Sequence, residues 1–246
     1  MTISATYTSK YQQALFALGH HTYNTTDDYP SAVTVYRKIL ARSFDKVSIV
    51  SLGFLYNLEA LLKSNPDEWS PLTGMELVAE KVDCIFIMGG KLPSGSGEYN
   101  FSANLAAKTS SKYVVENAPC KLLFLGESQG MRGKDSNYIK VGANMKDIYS
   151  SGSEDALYQC YIDYASGGGE DVVNNGRYAW DPLTTYIGII GDATRCGWDV
   201  YRGTYSIDAE YNGTFTVNTT GNHYYVQNAE NASYYVNQIN SKLFDS

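Results

Sequence analysis

The sequence predicts an α/β fold: one open, mainly parallel, Rossmann-like sheet flanked by helices, with a small C-terminal β-meander and a terminal helix. Two observations support this prediction. Short apolar runs alternate with segments of helical periodicity through the first half of the chain, which is typical of a parallel sheet covered by helices on both faces. No linker-like stretch separates two apolar cores, so residues 1–246 are predicted to form one domain.

The elements of the first half follow from apolar runs and helical spacing. The predicted strands are short buried runs at 47–50, 82–88 and 121–125. The predicted helices are a helix-like segment at 11–18, a helix starting at 27–30, and helices at 55–62 and 104–116. The start at 27–30 is predicted because acidic groups suit a helix N-terminus and proline is tolerated in the first turn.

The second half is less regular. A helix is predicted at 154–164, where the glycine run 167–169 ends it, and a buried helix is predicted at 181–190. Apolar residues then alternate with polar ones around 201–207, 215–217 and 224–226, which predicts the short strands of the meander. A terminal helix is predicted at 229–243, whereas 129–151 shows no clear pattern.

The charge balance excludes some classes of partner. The net charge is −7 and the sequence pI is about 5.0, which argues against nucleic-acid or membrane-surface binding because phosphate affinity comes mainly from Lys and Arg. No run is long and apolar enough to cross a bilayer. The first residues show neither a basic nor an apolar signal-peptide region, so a cytoplasmic location is favoured.

Cysteines and sequons leave one alternative open. The four cysteines, at 84, 120, 160 and 196, are far apart and form no CxxC pair, which favours reduced thiols over disulfides. Five N-x-[ST] sequons are compatible with a glycosylated surface protein that reuses its fold structurally. They begin at Asn24, Asn100, Asn212, Asn218 and Asn231.

Polar residues follow the predicted strands at points where a ligand could sit. In an open parallel sheet, ligands bind outside the carboxyl ends of the strands. Glu98 and Asn100 follow the second strand, and a carboxylate and an amide two residues apart in a loop suit a diol. Asp181 precedes Pro182 and reads either as a site carboxylate or as a helix N-cap. The three histidines lack zinc-motif spacing. These residues predict a small-molecule pocket.

Five segments in this order resemble the inosine-uridine nucleoside hydrolase family. Residues 47–58 resemble the family's strand with G-x-L-x-N-L, and residues 87–90 resemble its M-G-G strand end. Residues 98–101 resemble its E-F-N-F loop, and residues 180–183 resemble its H-D-P. Residues 221–226 resemble a tail element of one branch. The resemblance runs from about residue 29 to the C-terminus, and family members are commonly oligomers, which implies a possible homo-oligomer.

The resemblance implies cleavage of the N-glycosidic bond of ribonucleosides by a water molecule held on Ca²⁺. Glu98 and Asn100 would bind the ribose hydroxyls, and Met88 would line the sugar pocket. Asp181 and the backbone carbonyl of Leu52 would ligate calcium, since Ca²⁺ takes oxygen ligands and lowers the pKa of bound water. Asp181 and Asn100 would be the catalytic residues.

Two departures from the family pattern matter. Trp180 stands where many members carry a histidine that helps the base leave, and its ring would instead stack on a nucleobase. The family's N-terminal D-x-D-x-x-x-D-D, which supplies the general base and most calcium carboxylates, is missing. The adjacent pair Asp27-Asp28 lacks the preceding aspartates.

The missing aspartates leave two main hypotheses. The first is a truncated nucleoside hydrolase that cleaves ribonucleosides if the N-terminal segment is supplied, and that alone is weak or inactive. Calcium binding is then doubtful for this chain. The alternative is a non-catalytic pseudoenzyme of the same fold that binds a nucleoside or a partner protein. Base preference, the leaving-group acid and the true start of the chain stay open.

Overall fold

The computed structural model describes residues 29–149 and 155–244. Internal contacts divide these residues into two compact units, of which the larger holds Ser31–Ile139 and the chain from Ala179 onward, and the smaller holds Lys140–Tyr178. The single domain 1–246 stays a prediction. The helix-like segment at 11–18, the pair Asp27-Asp28 and the Asn24 sequon lie outside the described residues.

Nine strands are present in the described residues. They are β1 (Val47–Ser51), β2 (Val82–Met88), β3 (Ser94–Gly95), β4 (Lys121–Leu125), β5 (Lys140–Val141), β6 (Arg177–Tyr178), β7 (Trp198–Ile207), β8 (Gly213–Val217) and β9 (His223–Asn228). β5 and β6 pair with each other in the smaller unit, and the other strands form one sheet in the larger unit.

The helices of the described residues follow the same chain-order numbering. They are α1 (Ala32–Arg42), α2 (Tyr56–Leu62), α3 (Gly74–Lys81), α4 (Tyr99–Ser102), α5 (Leu105–Asn117), α6 (Glu127–Met131), α7 (Met145–Ile148), α8 (Ala156–Ser166), α9 (Val172–Asn175), α10 (Trp180–Ile190) and α11 (Ala232–Phe244). A 3₁₀ turn spans Thr194–Cys196. None of the described helices is long and apolar enough to cross a membrane.

The large sheet has the order β1-β2-β4-β9-β7-β8-β3. β1, β2, β4 and β9 run parallel, whereas β7 pairs antiparallel with both β9 and β8, and β3 closes the edge against β8. The predicted α/β fold with a mainly parallel sheet flanked by helices is confirmed. Among the C-terminal strands, β9 lies directly beside β4 and continues the central sheet.

Helix α10 covers the sheet face over β1 and β2. Gly188 allows this close approach, since a Cβ atom there would lie 2.5 Å from Cγ2 of Val50. On the sheet, Ile85, Leu122 and Phe124 are fully buried, and Leu58 of α2 belongs to the same core. Burial of such aliphatic and aromatic side chains is the main stabilising contribution to a core of this kind.

Most predicted elements are confirmed, and the start of one helix differs for a local reason. The strands at 47–50, 82–88 and 121–125 and the helix at 104–116 lie within one residue of β1, β2, β4 and α5. The helix expected to start at 27–30 starts instead at Ala32, because the Ser31 side chain caps it by accepting the Thr34 N–H. Helix α3 was not predicted.

The smaller unit consists of short elements. Asp155 caps α8 and Asp171 caps α9, each by accepting a backbone N–H with its carboxylate. The Tyr161 hydroxyl donates to the carbonyl of Val141 over 3.1 Å. The glycines after Ser166 end α8, as predicted.

The four cysteines carry free thiols, and Cys84, Cys120 and Cys196 are buried. Burial raises the pKa of Cys84 and of Cys120 to about 12 each, so both stay protonated at physiological pH. Buried thiols of this kind act as small apolar core residues.

Candidate functional site

The carboxyl ends of β1, β2, β4 and β9 meet at one edge of the sheet, because these strands are parallel. Ligands of open α/β sheets bind outside this edge. Four residues predicted from the sequence lie here, namely Leu52, Met88, Glu98 and Asn100. The Asn100 side chain donates to the carbonyls of Leu52 and Met88, and its backbone N–H donates to Glu98.

Glu98 holds the loop that follows β2. Its side chain is 4% exposed and accepts backbone N–H groups from Gly90 at 3.0 Å, Asn100 at 2.9 Å and Phe101 at 3.1 Å. Burial raises the pKa of this carboxyl, and the three hydrogen bonds oppose the rise. Both oxygens are thus engaged by the backbone, and the role of Glu98 as a ribose ligand stays a prediction.

Asn100 ties two strand ends together through its amide group. Its Nδ2 donates to the carbonyls of Met88 at 3.0 Å and Leu52 at 3.3 Å, and contacts Sδ of Met88 at 3.2 Å. Within the described part of the chain, no hydrogen bond reaches Oδ1 of Asn100. The amide oxygen therefore remains as an acceptor for a ligand hydroxyl.

Met88 is buried, whereas Leu52 is partly open to solvent. Met88 is 5% exposed and lies at the end of β2. The Leu52 side chain is 37% exposed. Because a carbonyl oxygen has two lone pairs, the Leu52 carbonyl can accept from Asn100 and still face a second partner.

Asp181 stands in the first turn of α10, and Ala179 is the N-cap residue. The N-cap interpretation of Asp181 is therefore wrong. Its side chain is exposed at the surface. Desolvation by surrounding protein, with a smaller contribution from the charge of Glu98, raises its pKa to about 6. Among described residues, no hydrogen bond or ion pair engages this carboxylate, which leaves it available to a ligand.

Trp180 anchors the start of α10 to the start of α6, which follows β4. Its indole Nε1 donates to the Glu127 carbonyl over 3.0 Å. The ring lies against Gly130, where a Cβ atom would come within 2.3 Å of Cδ1. This contact needs glycine at 130 and positions Asp181 at the carboxyl edge. Stacking of Trp180 on a nucleobase stays a prediction.

A calcium site does not fit the donor set of the described residues. The predicted ligands are the Asp181 carboxylate and the Leu52 carbonyl oxygen. These oxygens are too few, because Ca²⁺ takes about 6–8 oxygen ligands. Within 29–149 and 155–244, no group of three or more His, Cys, Asp or Glu side chains is placed to hold a metal.

Gln129 and Asn228 also lie at the carboxyl edge of the sheet, and neither was predicted from the sequence. Gln129 is buried, and its Nε2 donates to the Leu92 carbonyl over 3.1 Å. Its own backbone carbonyl accepts from Nδ2 of Asn228 at 2.9 Å. No local sequence motif predicts these contacts, because Gln129 and Asn228 are 99 positions apart in the chain.

The enclosed space near Glu98 is small. A cavity of about 10 Å³ is lined partly by Gly90, Lys91, Glu98 and Tyr205. It has room for about one water molecule. This cavity is too small to enclose a nucleoside. A cleft of about 250 Å³ in the smaller unit contains none of the predicted site residues.

No protein-family model and no curated protein sequence matches the chain. Solved structures do match in fold. The type III effector XopQ, solved in complex with adenosine diphosphate ribose, is 16% identical with a TM-score of 0.53, and the match covers 86% of this chain and 65% of that chain. The effector XOO4466 is 17% identical with a TM-score of 0.51, covering 87% and 65%.

The inosine-uridine preferring nucleoside hydrolase from Bacillus anthracis is 13% identical with a TM-score of 0.55, and the match covers 93% of this chain and 70% of that chain. The chain thus spans about two thirds of the length of these structures. At these identities the similarity shows the fold, which is that of nucleoside hydrolases and related effectors.

Proposed function

We propose that this chain binds a ribose-containing nucleoside or nucleotide at the carboxyl edge of its sheet. The carboxylate of Asp181 and Oδ1 of Asn100 accept hydrogen bonds from the ribose hydroxyls. Glu98 acts as a positioning residue, because its hydrogen bonds fix the backbone of the loop that carries Asn100.

The observation that carries the proposal is the state of Asp181. Asp181 is exposed as a residue, and its carboxylate has no hydrogen-bond or ion-pair partner among the described residues, at the edge where open α/β sheets bind ligands. The Glu98 carboxylate and the Asn100 amide nitrogen are already engaged by the backbone, which leaves Oδ1 of Asn100 as the second acceptor. Two solved structures of this fold are named for nucleoside chemistry, one as a nucleoside hydrolase and one in complex with adenosine diphosphate ribose.

Calorimetry on the whole chain tests the proposal with inosine, uridine, adenosine diphosphate ribose and ribose. We expect binding that weakens about 10–100-fold in Asp181→Asn, since a hydrogen bond to a charged acceptor contributes about 1.5–3 kcal/mol. Asp45→Asn is the matched control, because Asp45 is an exposed aspartate at the opposite end of β1. Absence of binding by all four ligands would overturn the proposal.

Hydrolysis of the N-glycosidic bond is the second candidate function. The raised pKa of Asp181, about 6, favours it, because general acids work best with a pKa near the working pH. In this reaction Asp181 gives its proton to the departing base, and water adds to the anomeric carbon and loses a proton to solvent. The described residues supply no separate general base, so we expect the chain alone to be a weak catalyst.

Chromatography of inosine incubated with the chain tests hydrolysis by measuring released hypoxanthine with and without added calcium. Fusion of a family D-x-D-x-x-x-D-D strand to the chain tests the truncation hypothesis. Activity only in the fusion, and its loss in Asp181→Asn, would support a hydrolase lacking its N-terminal groups. Tight binding without turnover in either form would support the pseudoenzyme.

A further inference from the structure

Two lysines and a glycine-containing loop line the small cavity beside Glu98. Lys91 and Lys108 both line it, together with residues 95–97 of the loop. The enclosed part has room for about one water molecule, whereas residues 96–97 are exposed and the lysines are half-buried. The lysines and the loop therefore form the mouth of the cavity, where it opens to solvent.

Lys108 brings a positive charge to this mouth from helix α5. Its Nζ lies 5.6 Å from the centroid of the Tyr211 ring, whose face attracts the ammonium group. In the part of the chain that the structure describes, no carboxylate forms a salt bridge with Lys108. Because an ammonium group has three N–H donors, Lys108 can contact the ring and still donate to an anion.

Lys91 lies against the loop. A Cβ atom at Gly95 would come within 3.1 Å of Cβ of Lys91, so glycine lets the lysine stem pack closely on the loop backbone. The Nζ of Lys91 pairs with the Glu127 carboxylate at 3.2 Å, in a partly exposed ion pair. Such pairs contribute little free energy, and Lys91 can therefore attract a second anion.

The loop backbone adds neutral donors. Gly95 and Gly97 have φ angles of +138° and +84°, which glycine adopts at little cost. Within the described residues, the N–H groups of Ser96 and Gly97 donate to no acceptor. Successive backbone N–H groups in a turn form a concavity that binds anions. The acidic residue of the cavity lining is Glu98, and its two oxygens are already engaged by backbone N–H groups.

We propose that the mouth of this cavity binds a phosphoryl group, with Lys108 as its main partner and Lys91 and the loop N–H groups as further donors. The inference rests on the proposed function and narrows it. Asn100, the proposed ribose ligand, follows Glu98 by two residues in the same loop. The ligand is therefore a nucleoside phosphate rather than a nucleoside, because charge-assisted hydrogen bonds to phosphoryl oxygens add to those made by the ribose.

Calorimetry with inosine, inosine 5′-monophosphate and inorganic phosphate tests the inference on the whole chain. We expect the monophosphate to bind about tenfold more tightly than inosine, because charge-assisted hydrogen bonds are among the stronger ones. Lys108→Gln should remove this advantage and leave inosine binding unchanged, whereas Lys108→Arg keeps the charge and should retain most of it. Lys134→Gln is the matched control, since Lys134 is an exposed lysine outside the cavity lining.

Inorganic phosphate distinguishes the two sources of a phosphoryl group. We expect it to compete with the monophosphate and not with inosine. Binding of inorganic phosphate that depends on Lys108, without any advantage of the monophosphate over inosine, would overturn the assignment to a nucleoside phosphate. Equal losses in Lys108→Gln and Lys134→Gln would also overturn it, since the effect would then come from net charge.

The outcomes separate this inference from the function on which it rests. Inosine binding that Asp181→Asn weakens, with the monophosphate bound no more tightly than inosine, would overturn the phosphoryl site and leave ribose recognition intact. Binding of the monophosphate that depends on Lys108 but not on Asp181 would support the phosphoryl site and count against ribose recognition. If the chain binds none of the three ligands, both proposals fail.

Discussion

At the residue scale, Glu98 illustrates how a polar side chain at a ligand edge becomes part of the framework. Its two oxygens accept from three backbone N–H groups, of which those of Gly90 and Phe101 are buried and would otherwise lack partners. The sequence shows the carboxylate but does not show the backbone donors that fold around it, and the role of Glu98 as a ribose ligand stays a prediction. The neighbouring Asn100 keeps an acceptor for a ligand only because its amide nitrogen makes the structural bonds.

Replacement of Glu98 by alanine should destabilise the protein strongly. Three backbone N–H groups, two of them buried, lose their acceptor, and each buried loss costs about 1–3 kcal/mol, so we expect a decrease of about 3 kcal/mol or more in the free energy of unfolding. Urea denaturation measures it. Glu116→Ala, which removes an exposed ion pair with Lys112, should cost under about 1 kcal/mol. Equal effects of the two substitutions would contradict the framework role.

Asp181 should make stability depend on pH. Its pKa is raised from 3.8 to about 6, so the folded state disfavours the ionised carboxyl. The stability that the protonated form contributes is fully present below about pH 3.8 and is lost as the pH rises through about 6. Asp181→Asn should therefore raise Tm at pH 8 and leave it unchanged near pH 4. Thermal melts at both values measure this difference, and an equal Tm change at the two pH values would contradict it.

At the element scale, α3 is an example of a short helix that hydrophobic periodicity does not predict. The helix has eight residues, too few for a clear apolar stripe, and it runs directly into β2. Its signal is the capping box, in which Thr73 and Glu76 bond each other's backbone N–H groups. The same kind of signal corrects the start of α1, where the Ser31 cap determines the first helical residue rather than the acidic residues before it.

Loss of the α3 cap should be measurable and local. We expect Thr73→Ala to lower the free energy of unfolding by about 1 kcal/mol, as for other N-cap threonines. The double substitution with Glu76→Ala should cost less than the sum of the single changes, because the two residues form one motif. Thr109→Ala, an exposed threonine within α5, serves as the control and should have a smaller effect. Strict additivity would argue against a coupled cap.

At the scale of the whole molecule, the parallel half of the sheet was predictable and the antiparallel half was not. β1, β2 and β4 are short and mostly apolar, which indicates buried parallel strands. β7, β8 and β9 alternate, and alternation does not tell which strand pairs with β4. Leu52, Met88, Glu98 and Asn100 come together because they follow parallel strands whose carboxyl ends share one edge. The position of Asp181 near this edge depends instead on how α10 crosses the sheet.

Backbone hydrogen exchange should reflect this division. We expect the slowest exchange in β2 and β4, which are paired on both sides and buried, and the fastest in β3 and the strand beside it, β8. Mass spectrometry of peptic fragments measures these rates. Protection in β8 as high as in β4 would show that the sheet opens as a single unit instead.

The position of β9 has a consequence for biosynthesis. This strand fills the gap between β4 and β7, yet the ribosome makes it after both of them and just before α11. During translation, one edge of β4 therefore stays unpaired while the ribosome synthesises the smaller unit, β7 and β8. An unpaired apolar edge is a template for pairing with other chains. Nascent chains stalled before His223 should therefore be the species most dependent on chaperones.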